Sequence, residues 1–263
     1  MTGPPEGCLA VRVQVMVRVR PPLPGELGAG ARFTPCLGLG PPTPQGHTLY
    51  VSGAPGGPRS YTFDQVVPLQ AGQEEVYGAV MPTAAASLLQ GYNVTLLAFG
   101  QSRSGKSHTL VGREGAMEGL LPRLVRGLVA GGAELAMAMV GIHQEVATDL
   151  LDPSMSLVGV SGATGGVTVD GLSEVEVDGV EEVMSMVQEG LTRRAEGGMS
   201  HVVVRLVVRL GEREARMHMV EVAGSECLTT GTEAEEVAVG SSLFSLLAMA
   251  EGLSSSKGFV PYR

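Results

Sequence analysis

The strongest chemical signal in the sequence is an eight-residue segment, GQSRSGKS at residues 100–107. It fits the pattern G-x-x-x-x-G-K-[ST] of a phosphate-binding loop, and it follows a short apolar run and precedes a helical stretch, as that loop requires. Its glycines permit a tight turn and a close approach to phosphate, while its N–H groups offer positive partial charge. We expect Lys106 to reach the terminal phosphates and the Ser107 hydroxyl to be a ligand of Mg²⁺.

The lysine content supports this interpretation. Because the chain has 38 glycines in 263 residues, a glycine pattern can also arise by chance. In that alternative Lys106 would be an ordinary surface residue. The chain has only two lysines, Lys106 and Lys257, and one of them occupies the lysine position of the pattern. The context and this placement favour a functional loop.

Composition and charge restrict the class of protein. The length suits one large α/β domain or two small ones. The net charge of −9 is uneven, because residues 1–110 carry 7 basic and 5 acidic groups and residues 111–263 carry 11 and 22. No basic stripe indicates a nucleic-acid partner. The three cysteines are far apart, which indicates a reducing compartment and predicts neither disulfides nor a zinc site. No apolar run is long enough to predict a transmembrane helix, and no secretory signal is predicted.

Hydrophobic periodicity predicts the elements that position this loop. Strands are expected at residues 11–20, 134–142, 201–210 and 217–222, the last two as a hairpin. An extended segment is expected at 61–67, and a strand pair or an extended arm at 168–177. Helices are expected after Lys106 and at residues 74–89, 120–129, 180–194 and 233–253. The helix at 74–89 is expected to be kinked or broken at Pro82. Residues 21–60 are rich in Pro and Gly and are expected to form loops, with a weak strand at 47–51. The alternation predicts an α/β fold with a mixed central sheet covered by helices on both faces.

Several further segments, taken in order, resemble the kinesin motor domain. These are RVRP at residues 18–21, YTFD at 61–64, QEEVY at 73–77, the loop with its preceding strand at 91–110, GLLP at 119–122, DLLDP at 149–153, VAGSE at 222–226 and VPYR at 260–263. Each motif alone is weak, but their common order is specific. The resemblance runs from about residue 11 to the end and implies a single P-loop motor domain over residues 1–263 that uses ATP and Mg²⁺ and binds microtubules.

The resemblance also implies a role for each matching residue. The phosphates would be held by the loop residues Gly100, Gln101, Ser102, Arg103, Ser104, Gly105, Lys106 and Ser107. Arg18, Pro21 and His108 would flank the adenine. In residues 222–226, which we term the second switch, Gly224 would donate its N–H to the γ-phosphate, and Glu226 would help to close the site around the attacking water. Catalysis in such sites is positioning and charge stabilisation.

Two departures from the family pattern lie near the nucleotide. The family's first switch, N-x-x-S-S-R-S-H, corresponds to residues 191–201, where only the final Ser-His matches and the arginine that pairs with the second-switch glutamate is missing. Arg193 and Arg194 are candidate replacements that the sequence cannot choose between. Glu221 stands where the family has aspartate, so that its contact to Mg²⁺ through water would have an altered geometry. The alternative for Glu221 is a simple polar strand end.

Two further departures concern the partner and the ending. Residues 227–243, which we term the track segment, contain no Lys or Arg and include Glu233, Glu235 and Glu236. Because the tubulin surface is acidic, this segment predicts weakened microtubule binding, whereas a solvated acidic helix start is the alternative explanation. In the family, further helices and a sheet strand follow the position of Arg263, so the domain is expected to be incomplete there.

Two functions remain open from the sequence. The first is a cytoplasmic, cytoskeletal motor ATPase that couples ATP hydrolysis to movement along microtubules, with activity impaired by the altered first switch. The second is a non-enzymatic relative of kinesins that binds nucleotide, hydrolyses it slowly or not at all and serves as a scaffold. The sequence leaves the oligomeric state, direction of movement and cargo undetermined.

Overall fold

The computed structural model describes residues 13–26, 36–44, 46–53, 55–154, 156–163, 166–194, 199–230 and 234–254. Residues up to Ala71, with those from Leu247 onward, group into one compact unit, and Gly72–Leu246 form a second. The single domain expected over the whole chain stays a prediction. The motif VPYR, Lys257 and Glu233 lie outside the described residues.

The first unit contains two small sheets. Strand β1 (Met16–Arg18) pairs in parallel with β5 (Gln65–Val67), and β2 (Leu37–Thr43), β3 (Gly46–Val51) and β4 (Arg59–Phe63) form an antiparallel sheet with β3 in the centre. The strand expected at 47–51 is confirmed as β3, but the loops expected in the rest of residues 21–60 were wrong where β2 and the start of β4 occur. Two prolines lie within β2, which is tolerated because this is an edge strand whose register shifts between Leu39 and Pro42.

The second unit is built on a six-stranded sheet in the order β11-β7-β12-β13-β6, with β8 also paired to β7. Its strands are β6 (Val94–Ala98), β7 (Glu134–His143), β8 (Val146–Asp149), β11 (Val175–Val177), β12 (His201–Leu210) and β13 (Arg213–Glu221). Within this sheet of the described residues, β13 and β6 are the one parallel pair, so the predicted mixed sheet is confirmed, and so is the hairpin of β12 and β13. Strands β9 (Gly159–Ala163) and β10 (Gly166–Asp170) form a separate antiparallel pair.

Six helices occur in the described part of the chain. They are α1 (Gln73–Leu89), α2 (Lys106–Leu110), α3 (Leu120–Ala130), α4 (Val180–Thr192), α5 (Cys227–Thr230) and α6 (Ala234–Ser254). Of the predicted kink or break at Pro82, the break is wrong, because α1 continues through this residue. Buried Val76, Met81 and Leu88 anchor this helix on both sides of the proline, so packing compensates for the backbone bond that proline cannot make.

The parallel pairing of β6 and β13 determines where the functional segments meet. In this register Ala98 lies beside Glu221, at the carboxyl ends of both strands. The phosphate loop follows β6 and the second switch follows β13, so both segments leave the sheet at the same edge. Ligands of α/β proteins bind at such carboxyl edges. No helix among the described residues is both long and apolar enough to cross a membrane.

Candidate nucleotide-binding site

The phosphate loop turns between β6 and α2 with its lysine directed back over it. Gly105 has a φ of +101°, a conformation that other residues rarely adopt, and it leads directly into the helix. The Lys106 Nζ donates hydrogen bonds of 2.9 Å to the carbonyl oxygens of Gly100 and Gln101. Burial lowers the pKa of Lys106, while the charges of Glu221 and Glu226 act in the opposite direction. The loop therefore holds a partly desolvated cation at its centre.

The second switch is hydrogen-bonded directly to this loop. The Ser225 N–H donates to the Gly100 carbonyl at 3.1 Å, and the Ser102 N–H donates to Glu226 Oε2 at 2.9 Å. Burial would raise the pKa of Glu226, but hydrogen bonds from Ser102 and the charge of Lys106 outweigh burial and lower it. A carboxylate thus lies on an amide of the phosphate loop, which shows that the loop can hold an anionic oxygen.

Gly224 lies against this carboxylate. A Cβ added at Gly224 would be 2.3–2.5 Å from the carboxyl atoms of Glu226, and Gly224 itself is buried. Just before it, the Ala223 N–H donates to His201 Nδ1 at 3.1 Å, so the start of β12 holds the backbone of the second switch. That Gly224 donates its N–H to a γ-phosphate stays a prediction.

The two residues predicted to serve a metal ion lie together. The Ser107 Oγ donates to Glu221 Oε1 at 2.9 Å, and Glu221 is only 8% exposed. The same carboxylate oxygen accepts a hydrogen bond of 2.9 Å from Arg194 Nη1. Hydroxyl and carboxylate oxygens suit Mg²⁺, and in this structure Glu221 Oε1 is bonded to a guanidinium.

The structure separates the two arginines that the sequence left as alternatives. Arg194 reaches Glu221 rather than Glu226, and it also donates to the hydroxyl and carbonyl of Ser200 at 3.0 and 2.7 Å. Arg193 donates to the Leu150 carbonyl at 2.8 Å and pairs with Glu189. Sequence analysis missed the contact between Arg194 and Glu221 because 27 positions separate the two residues.

The remaining predicted residues are placed as follows. Gln101, Ser102 and Arg103 are exposed in the loop, and Ser104 is half-buried there. The His108 carbonyl accepts a hydrogen bond of 2.6 Å from the buried Gln73 amide, which sequence analysis did not assign to the site and which supports the end of α2. Arg18 ends β1, and Pro21 follows shortly after it in the first unit. A role for Arg18, Pro21 and His108 at the adenine stays a prediction.

The track segment forms α5 and the first half of α6. Val239 and Leu243 of α6 are buried against Val222 and Ala223, so this helix packs directly on the second switch. Its exposed apolar side chains are Val237, Phe244 and Leu247. The helix therefore contacts the segment that meets the phosphate loop, whereas its described outer surface offers no basic residue to an acidic partner.

These features define a P-loop nucleotide-binding fold. They are the mixed β-sheet with its helices, the glycine-containing loop between β6 and α2, and the hydroxyl–carboxylate pair beside that loop. The family model "Kinesin motor domain" matches residues 18–263, and the chain therefore belongs to the kinesin motor domain family. The α/β fold inferred from the resemblance is confirmed.

Individual relatives agree with this assignment. Kinesin-like protein KIF18B of Mus musculus is 30% identical over 95% of this chain and 36% of its own length. Kinesin heavy chain isoform 5A of Homo sapiens is 28% identical over 95% of this chain and 26% of its own length. Kinesin-like protein KIN-UB of Arabidopsis thaliana is 30% identical over 75% and 24%. The chain thus spans between 24% and 36% of the lengths of these relatives.

Proposed function

We propose that this chain binds ATP with its phosphates in the loop at residues 100–107, hydrolyses it and couples hydrolysis to movement along microtubules. The observation that carries the proposal is the direct bonding of the second switch to the phosphate loop, through Ser225 to Gly100 and through Ser102 to Glu226. A γ-phosphate in the loop would compete with Glu226 for the Ser102 N–H. Binding and loss of that phosphate would therefore move the second switch, as in other P-loop switches.

Movement of the second switch would reach the track segment through packing. Val222 and Ala223 lie against Val239 and Leu243 in one buried cluster, so a shift of the switch must displace α6 or repack this cluster. We propose that α6 contributes to the microtubule surface. Because the segment contains Glu236 and no basic residue, binding would be weak. A cytoskeletal location in the cytoplasm would follow from this binding.

We keep Mg²⁺ as a proposed cofactor that would neutralise phosphate charge when bound. Ser107 would be its protein ligand, and Glu221 would lie behind a water molecule. In the structure the Ser107 hydroxyl donates to Glu221, and Glu221 also accepts a hydrogen bond from Arg194. An ion bound at Ser107 would therefore lie beside a carboxylate that already carries a cationic partner.

The decisive experiment is steady-state ATP hydrolysis by the purified chain, measured with and without microtubules at low ionic strength. We expect slow basal turnover that microtubules increase and that is absent in Lys106→Ala. Low ionic strength is chosen because screening by salt would further weaken a surface interaction. ATP binding without turnover in either condition would contradict the motor function and leave the non-enzymatic relative.

Replacement of Glu226 by glutamine separates its two proposed roles. The change removes the negative charge that accepts the Ser102 N–H, a donor that a phosphate oxygen would also use. We therefore expect ATP affinity to rise by about tenfold. Turnover should fall at least about tenfold, because closure around the attacking water loses its carboxylate. A fluorescent ATP analogue measures affinity, and single-turnover hydrolysis measures the chemical step.

A matched control for this variant is Glu214→Gln. Glu214 lies near the start of β13, the strand that ends at Glu221. Glu214 is exposed and pairs with Arg209 and Arg216, away from the phosphate loop. It should leave affinity and turnover unchanged. If Glu226→Gln bound the analogue no more tightly than wild type, competition between this carboxylate and phosphate would be refuted.

A further inference from the structure

We propose that Arg194 supplies, at Glu221 and Ser107, the positive charge that a divalent cation would otherwise provide, so that the chain binds nucleoside triphosphate with little dependence on Mg²⁺. The inference rests on the proposed nucleotide site. Arg194 lies in the altered first switch and would act beside the phosphates.

The first observation is the position of the guanidinium. Glu221 Oε1 accepts hydrogen bonds of 2.9 Å from both Ser107 Oγ and Arg194 Nη1. The carboxylate predicted to lie behind a metal ion thus already has a cationic partner, and the hydroxyl predicted to bind the ion donates to that same carboxylate. A divalent ion beside both oxygens would meet the guanidinium at close range, where two positive charges repel.

The second observation is that Arg194 is held in place. Its Nε and Nη2 donate to the hydroxyl and the carbonyl of Ser200, which is 1% exposed. Arg194 and Glu221 side chains are 16% and 10% exposed, so the pair is largely removed from solvent. Removing the guanidinium from Glu221 would leave a buried carboxylate without this partner, which is unfavourable. The arrangement therefore resists replacement of Arg194 by an ion.

The third observation is the proximity of Arg194 to the loop cation. The charge of Arg194 contributes to lowering the pKa of Lys106, after the larger effect of burial. Two cations thus face the same loop, one from the loop and one from the first switch. A guanidinium keeps its positive charge while it is bonded, so Arg194 can add to the charge of Lys106 at the loop without leaving Glu221 and Ser200.

Equilibrium titration of the full chain with a fluorescent ATP analogue tests the inference, in excess Mg²⁺ and in excess EDTA. For wild type we expect the dissociation constants in the two conditions to agree within about threefold. Arg194→Ala should bind in Mg²⁺ but lose at least about tenfold in affinity in EDTA, the size of one charge-assisted hydrogen bond. Arg194→Lys retains the charge without the planar donors and should fall between the two.

Arg193→Ala is the matched control, because it removes the neighbouring arginine, whose partners are Leu150 and Glu189. It should behave as wild type in both solutions. Binding by wild type that disappears in EDTA would overturn the inference and leave the proposed nucleotide site intact. Absence of binding in both solutions would overturn the inference together with the proposed function. The wild-type comparison decides the matter even if Arg194→Ala does not fold.

Discussion

Replacing Lys106 by alanine is expected to lower affinity for ATP at least about a hundredfold and to reduce hydrolysis to background. The ammonium group is half-buried, is bonded to two loop carbonyls and lies where it would meet the phosphates. Loss of charge-assisted bonds to phosphate of about 1.5–3 kcal/mol each accounts for a change of this size. Titration with a fluorescent ATP analogue and a steady-state hydrolysis assay measure the two effects.

Two further variants distinguish a specific effect of Lys106 from a general one. Lys106→Arg keeps the positive charge and should retain more binding than Lys106→Ala. Arg216→Ala removes a cation from the exposed part of β13, where it pairs with Glu214, and should leave affinity unchanged. If Lys106→Ala bound the analogue within about threefold of wild type, the phosphate site would have to lie elsewhere.

Gly119→Ala should destabilise the fold by about 3 kcal/mol. A Cβ at this position would lie 2.6 Å from the Leu110 carbonyl carbon and 2.7 Å from the carbonyl oxygens of Leu110 and Thr109. These are backbone atoms of α2, which cannot turn aside as a flexible side chain can. Because α2 carries Lys106 and Ser107, nucleotide affinity should fall together with stability.

Chemical denaturation gives the free energy of unfolding for this comparison, and Gly78→Ala provides the control. Gly78 lies within α1 and has no atom within 4 Å of the position of an added Cβ. Alanine there should leave stability unchanged or raise it by about 0.5–1 kcal/mol. A loss below about 1 kcal/mol for Gly119→Ala would contradict close packing of this glycine on α2.

The long, regular elements could be predicted because their signals are local. The helix expected at residues 120–129 is α3, and the strand expected at residues 134–142 is β7. The errors occurred where contacts outweigh local preference. Residues 37–43 form an edge strand although they contain two prolines, since hydrogen bonds to β3 stabilise an extended conformation that the composition does not predict.

The first switch shows a different limit. Its sequence indicated that the family's arginine was missing and that Arg193 or Arg194 was a candidate replacement for the bond to Glu226. The structure directs Arg194 to Glu221 instead, while Glu226 accepts the Ser102 N–H. No local pattern distinguishes two adjacent arginines, because their orientations depend on where α4 ends and β12 begins.

The sequence by itself determined the phosphate loop, the second switch and the family, because each depends on residue types at short, constant spacings. Only the tertiary structure decided which charges share the site. The parallel pairing of β6 with β13 brings Ser107 to Glu221, although 114 positions separate them, and the packing of α4 beside the sheet adds Arg194. Such distant groups meet only when the strands are in register, and at a buried carboxylate the resulting electrostatic interactions are strong because water is excluded.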